Sequence, residues 1–139
     1  MTKTQKQFIT KKLIPFIERE GGRGFIMQNW LKDCLVPGET CYKDRLPRKV
    51  PICGTVACIG GSIEVLKKPR GGYGYIEAVE AGKEIGLDDL QSNILFAASI
   101  RWPEPFRRRY LKAKTVRTQA KVAADLLREM VRTNRKVLY

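Results

Sequence analysis

The residues best placed to do chemistry in this chain are its cations. Arg101, Arg107, Arg108, Arg109 and Lys112 fall within twelve residues, interleaved with Trp102, Phe106 and Tyr110. A planar guanidinium matches two oxygens of a phosphate, and three arginines in a row offer several such forks. Beyond them, Lys114, Arg117, Lys121, Arg128, Arg132 and Arg135 recur at three-, four- and seven-residue steps. On a helix turning about 100° per residue, these six fall within an arc of roughly 60° and form a row about 30 Å long. A row of that length follows a phosphate backbone. All eleven cations are therefore candidate nucleic-acid-binding residues. The competing reading is a solvated face, or pairing with the acidic stripe Glu77, Glu80 and Glu84. The three aromatics could stack on bases. Their four-residue spacing puts them on one helical face, which predicts core positions for two of them.

Other chemistry is limited by what is missing. The chain has 139 residues and no histidine. That excludes Ser-His-Asp and Cys-His nucleophiles and any His-ligated metal. The carboxylates are scattered and no pair is fixed by a motif, so a non-enzymatic protein is expected. Cys34, Cys41, Cys53 and Cys58 are spaced by six, eleven and four residues. Structural zinc sites use closer pairs, which only the last pair approaches. Zinc and disulfide readings stay open; buried or half-buried thiols are the preferred one. No metal and no cofactor are expected. Cys53 near a helix N-terminus would have a lowered pKa, but no histidine base is available to it. Lys67-Lys68-Pro69-Arg70-Gly71-Gly72-Tyr73-Gly74-Tyr75 is a basic, glycine-rich loop. It is neither of the common phosphate-binding glycine motifs, and reads as a turn before it reads as an anion nest.

Net charge is +13, from 27 basic and 14 acidic side chains. Residues 101–139 hold twelve basic and three acidic groups, against ten and nine over residues 21–100. This polarisation points to an anionic partner. Hydrophobic content of 43% is too high for disorder, and the length suits a single domain, 1–139. The longest uncharged run, Val50 to Ile63, is too short for a membrane span, which needs about 20 residues. No signal peptide is evident. A cytoplasmic protein away from membranes is expected, with reduced cysteines.

The elements that must position these groups read as mainly α: a compact bundle of five to six short helices, with at most a minor β segment near residues 24–30. Residues 2–20 form a helix with Ile9, Leu13, Phe16 and Ile17 inward, stopped by Gly21-Gly22 and kinked or split at Pro15. Residues 31–53 read as loop. Thr55 is placed to cap a helix running to Lys67. Ile76 to Ile85 is a helix closed by Gly86, and Asp88 with Gln91 forms a capping box for the next. That pair has the outline of a helix-turn-helix, but Asp88 and Asp89 would meet phosphates first, so helix packing is the better account. Trp102-Pro103 ends it. The domain core spans 1–111, and a basic helix over 112–136, regular from Lys112 to Asn134, packs on it. Its apolar face is Val116, Ala120, Ala123, Leu127, Met130 and Val131.

Cys53-Gly54-Thr55-Val56-Ala57-Cys58-Ile59-Gly60-Gly61 resembles the CGTxACIAG motif of a group of small proteins from phages, prophages and bacteria. Phe25-Ile26-Met27-Gln28-Asn29-Trp30 is similar to that group's upstream Phe-x-Met-x-x-Trp. Ile85-Gly86-Leu87, Leu95-Phe96 and Trp102-Pro103 follow in the group's order. Gly60 replaces the group's alanine, and Ser62 stands where it often has His or Trp. The resemblance covers residues 20–130. It implies a compact helical, phage-related domain and carries over no activity.

These observations lead to a non-enzymatic basic protein that grips nucleic-acid phosphates, of DNA or RNA, with little sequence preference. The alternative is a phage-encoded inhibitor or counter-defence protein that binds an acidic host protein or sequesters a small anionic nucleotide in a pocket.

Overall fold

The computed structural model describes residues 1–22, 25, 31–33, 55–67, 78–96 and 101–139. Over these the protein is mainly helical. Helix α1 spans Lys3–Phe8 and opens on a capping box, in which the Gln5 N–H donates to Thr2 Oγ1 and the Thr2 N–H to Gln5 Oε1. Pro15 has no N–H for the Lys11 carbonyl, and its ring crowds that oxygen. The chain absorbs this without a sharp break. Ile9–Leu13 is a π turn in which the Ile14 N–H reaches back to the Ile9 carbonyl, and α2 (Ile14–Gly22) continues from it. Helical geometry stops at Arg19, and Glu20, Gly21 and Gly22 have φ of 51°, 69° and 81°. The glycine stop is therefore where the sequence puts it. Gly22 is there for a second reason: a Cβ on it would lie 2.4 Å from that of Ala120.

A short antiparallel pair joins β1 (Leu31–Asp33) to β2 (Thr55–Ala57), with Leu31 opposite Ala57. This corrects two expectations. Residues 31–33 are strand within a predicted loop, and Thr55 lies in β2 rather than at the start of α3, which begins at Ile59. β-branched Thr55 and Val56 suit a strand, and the cap passes to Cys58, whose sulfur accepts from the Gly61 N–H at 3.4 Å. The minor β segment expected near 24–30 is described only at Phe25, which is buried; the remainder lies outside the described residues.

Helix α3 (Ile59–Lys67) is buried from Ile59 to Val65, including Glu64. Gly60 and Gly61 suit a helix enclosed on every side. Helices α4 (Ala78–Glu84) and α5 (Asp89–Phe96) are joined by the expected turn, with Gly86 at φ 79°. The predicted capping box is present: the Gln91 N–H donates to Asp88 Oδ1 at 2.8 Å and the Asp88 N–H to Gln91 Oε1 at 3.1 Å. A Cβ on Gly82 would fall 1.8 Å from Ser92 Oγ, so these helices are pressed together as packing partners.

The terminal helix is shorter than predicted. Residues Phe106–Lys112 form a separate helix, α6, which ends where Ala113 becomes extended at ψ 123°. Thr115 then caps α7, Val116–Arg132, by accepting from the Thr118 N–H. The chain ends in a single 3-10 turn, Lys136–Leu138. Threonine is a strong N-cap, and its extended backbone forces a break. The boundary expected at residue 112 thus falls at the α6–α7 corner. One cluster of buried side chains runs from Ile9 to Leu138, with α7 lying along α2 and α6. Among the described residues, no helix is long and apolar enough to cross a membrane.

Candidate nucleic-acid interface

Helix α7 buries Ala120, Val122, Ala123, Ala124, Leu126, Leu127 and Met130. At about 100° per residue these cover an arc of roughly 200°. That is wider than the predicted apolar face. Val116 falls within this arc but is 47% exposed because it stands at the helix start, and Val131 is half-buried. A helix buried so broadly has one strip left for charge. Burial confines Arg117, Lys121, Arg128 and Arg132 to the remaining arc of about 160°, so their rough alignment is not by itself evidence of a ligand. Lys114 precedes the helix, and Arg135 follows it in the left-handed region at φ 68°. The six-residue row is four residues on the helix, with one cation beyond each end.

Which cations are already engaged is the informative property. At the C-terminal end all three candidates are held. Arg128 bridges Glu18 of α2 at 2.5 Å and Asp125 at 3.0 Å. Arg132 forks onto Glu129, with Nε at 2.8 Å and Nη2 at 2.5 Å. Arg135 donates to the Gly86 carbonyl. The predicted alternative partners, Glu80 and Glu84, take no part, and Glu77 lies outside the described residues. The Glu129 carboxyl is held below the usual range by Arg132, and the Arg132 guanidinium is raised in turn. Burial pushes the Asp125 carboxyl up, but Arg109, Lys121 and Arg128 more than offset this and leave it below its ordinary value.

The arginine triplet divides in the same way. Arg107 pairs with Glu104 at 2.7 Å, which lowers the Glu104 carboxyl. Arg109 pairs with Asp125 at 2.6 Å. Arg108 is exposed, and its side chain makes no ion pair among the described residues. Successive residues on a helix point about 100° apart, so the triplet spreads over about 200° of α6 and Arg107 and Arg109 turn to different carboxylates. Trp102, Phe106 and Tyr110 are all buried, at 2%, 8% and 4% exposure. Trp102 donates to the Leu95 carbonyl at 3.0 Å and meets the Tyr110 ring edge-on at 5.1 Å. The base-stacking role considered for them is thereby removed, and all three, not two, are core.

Five exposed cations around the α6–α7 corner make no ion pair among the described residues. Arg108 and Lys112 are one turn apart on α6, and Arg117 and Lys121 one turn apart on α7. Lys114 lies in the connection between them. Arg117 and Lys121 line a groove of about 330 Å³ with Ala120, Gly21, Gly22 and Glu18. Glu18 is the carboxylate that Arg128 already neutralises. Arg101 is also exposed and unpaired among the described residues.

The remaining candidate chemistry is quiet. Burial pushes the Cys58 thiol up to about 11, which suits an inert core residue. Cys34, Cys41 and Cys53 lie outside the described residues, as does the glycine-rich loop beyond Lys67. A second basic groove, at Lys11, Lys12 and Lys67, has no counterpart in the sequence reading, because its members are distant in the chain. Comparison of the chain with known protein families, with curated proteins and with solved structures finds no match.

Proposed function

We propose that the protein is a non-enzymatic nucleic-acid-binding protein that grips phosphates through the α6–α7 corner. Arg108, Lys112, Lys114, Arg117 and Lys121 carry the contact. Supporting this is the segregation of the charge: the corner cations make no ion pair among the described residues, whereas Arg128, Arg132 and Arg135 are engaged within the fold. A cation already clasped by a carboxylate releases little on meeting a phosphate, so of the cations on α6 and α7 those at the corner contribute most. No exposed aromatic stands at the corner among the described residues. The contact is then with the backbone and carries little sequence preference. The order of motifs from Phe25 to Pro103 supports placing the protein among phage and prophage proteins as part of the same proposal.

The test is fluorescence anisotropy with labelled oligonucleotides across salt. Five phosphates neutralised give a log–log slope of about −4.5 for duplex and about −3.5 for a single strand. Absence of binding at low salt overturns the reading.

A further inference from the structure

A second basic groove opens beside the π turn. Thr4, Gln7 and Phe8 of α1, Lys11 and Lys12 of the π turn, and Lys67 at the end of α3 enclose about 310 Å³. That is the lower size of a small-ligand pocket. Three ammonium groups line it and no carboxylate does. Nor is there a carboxylate near Lys11 and Lys12 in sequence: residues 1–17 contain Lys3, Lys6, Lys11 and Lys12 and no acidic residue, and Glu64, one turn before Lys67, is buried in α3. Lys11 and Lys12 make no ion pair among the described residues. Lys67 rests over the Phe8 ring at 4.4 Å and reaches Glu84 outside the groove at 3.5 Å. Both members of that pair are roughly two-fifths exposed, and a half-solvated pair of this length yields readily to a phosphate. Thr4 and Gln7 add neutral hydrogen-bonding groups. The wall carrying the adjacent lysines is a π turn, a geometry that recurs at binding sites.

We infer that this groove binds the polyphosphate of a small, nucleotide-sized ligand. Lys11, Lys12 and Lys67 take the phosphate oxygens, and the Phe8 ring gives an apolar floor for whatever the phosphates carry. Three positive charges match the charge of a di- or triphosphate better than that of a single phosphate. The groove shares no residue with the α6–α7 corner, so neither proposal depends on the other.

The experiment is isothermal titration calorimetry of the full chain with inorganic tripolyphosphate and with ATP. The expected result is saturable binding of one ligand per chain. Charged hydrogen bonds are lost in the K11Q/K12Q variant, which should weaken binding about tenfold or more. The R117Q/K121Q variant, equal in net charge, should bind as the parent does. Both lysines are exposed, and circular dichroism confirms that the variants fold. ATP binding tighter than tripolyphosphate would assign a nucleotide, with its base on Phe8; equal affinity would assign the polyphosphate alone. Absence of saturable binding would overturn the inference, as would binding lost in R117Q/K121Q and kept in K11Q/K12Q.

Discussion

The two ends of α7 carry the same kind of side chain and do opposite things with it. Arg128 and Arg132 are turned to carboxylates 2.5 Å away. Arg117 and Lys121, on the same strip, face a groove whose one carboxylate is already occupied. All four side chains are exposed, so burial of the cations themselves does not separate them. Acid placement does. Asp125 and Glu129 stand three residues before Arg128 and Arg132, whereas Arg117 has no carboxylate within a turn on α7 and Lys121 has only Asp125, which Arg109 and Arg128 already hold. A row of cations is thus informative only after its local acids have been subtracted.

The sharpest way to break this contrast is to neutralise the whole corner. Replacing Arg108, Lys112, Lys114, Arg117 and Lys121 by Gln should abolish the salt dependence; in the parent protein, five phosphate contacts cost about 500-fold in affinity between 50 and 200 mM salt. Anisotropy titrations measure both. Next in size is Gly22→Ala, which loosens the floor of the corner groove. It adds a methyl against Ala120 at a positive φ, and should destabilise by about 2–4 kcal/mol, read from denaturant unfolding.

Asp125→Asn would blur the contrast in the other direction. It releases Arg109 and leaves Arg128 held by Glu18 alone, so the salt slope should steepen while stability falls by roughly 1 kcal/mol. The same variant carries a pH signature. The Asp125 carboxyl is lowered in the folded protein, so its stabilisation is fully present above the unfolded value of about 3.9 and is lost as pH falls through the lower folded value. Thermal unfolding followed below about pH 4 should show a shallower acid limb in Asp125→Asn than in the parent. The smallest effect belongs to Arg132→Gln, which should leave the nucleic-acid salt slope unchanged because Glu129 already holds that guanidinium.

Much of the frame was legible in the sequence. The Asp88–Gln91 box, the Gly86 and Gly21-Gly22 stops and the apolar spacing of Ile9, Leu13, Phe16 and Ile17 are local rules with local causes. Thr55 misled because two rules competed for it, and its β-branched neighbour Val56 and the pairing with Leu31–Asp33 won. The break at Ala113–Thr115 was hidden because the cations keep a helical period across it. The eleven candidate cations are legible by residue type and period, but their long-range partners are not: Glu18 lies far from Arg128 in the chain. The Lys11–Lys67 groove was invisible for the same reason, since only the fold brings α3 to the π turn.

Two variants of equal charge separate the ends of α7. R117Q/K121Q and R128Q/R132Q each remove two cations from the same strip of α7. Measured by anisotropy on one duplex across salt, in a Glu18→Gln background so that loss of Arg128 frees no carboxylate in the corner groove, R117Q/K121Q should flatten the slope by about 2, and R128Q/R132Q should leave it unchanged. Equal flattening in both, or flattening by R128Q/R132Q alone, would contradict the account.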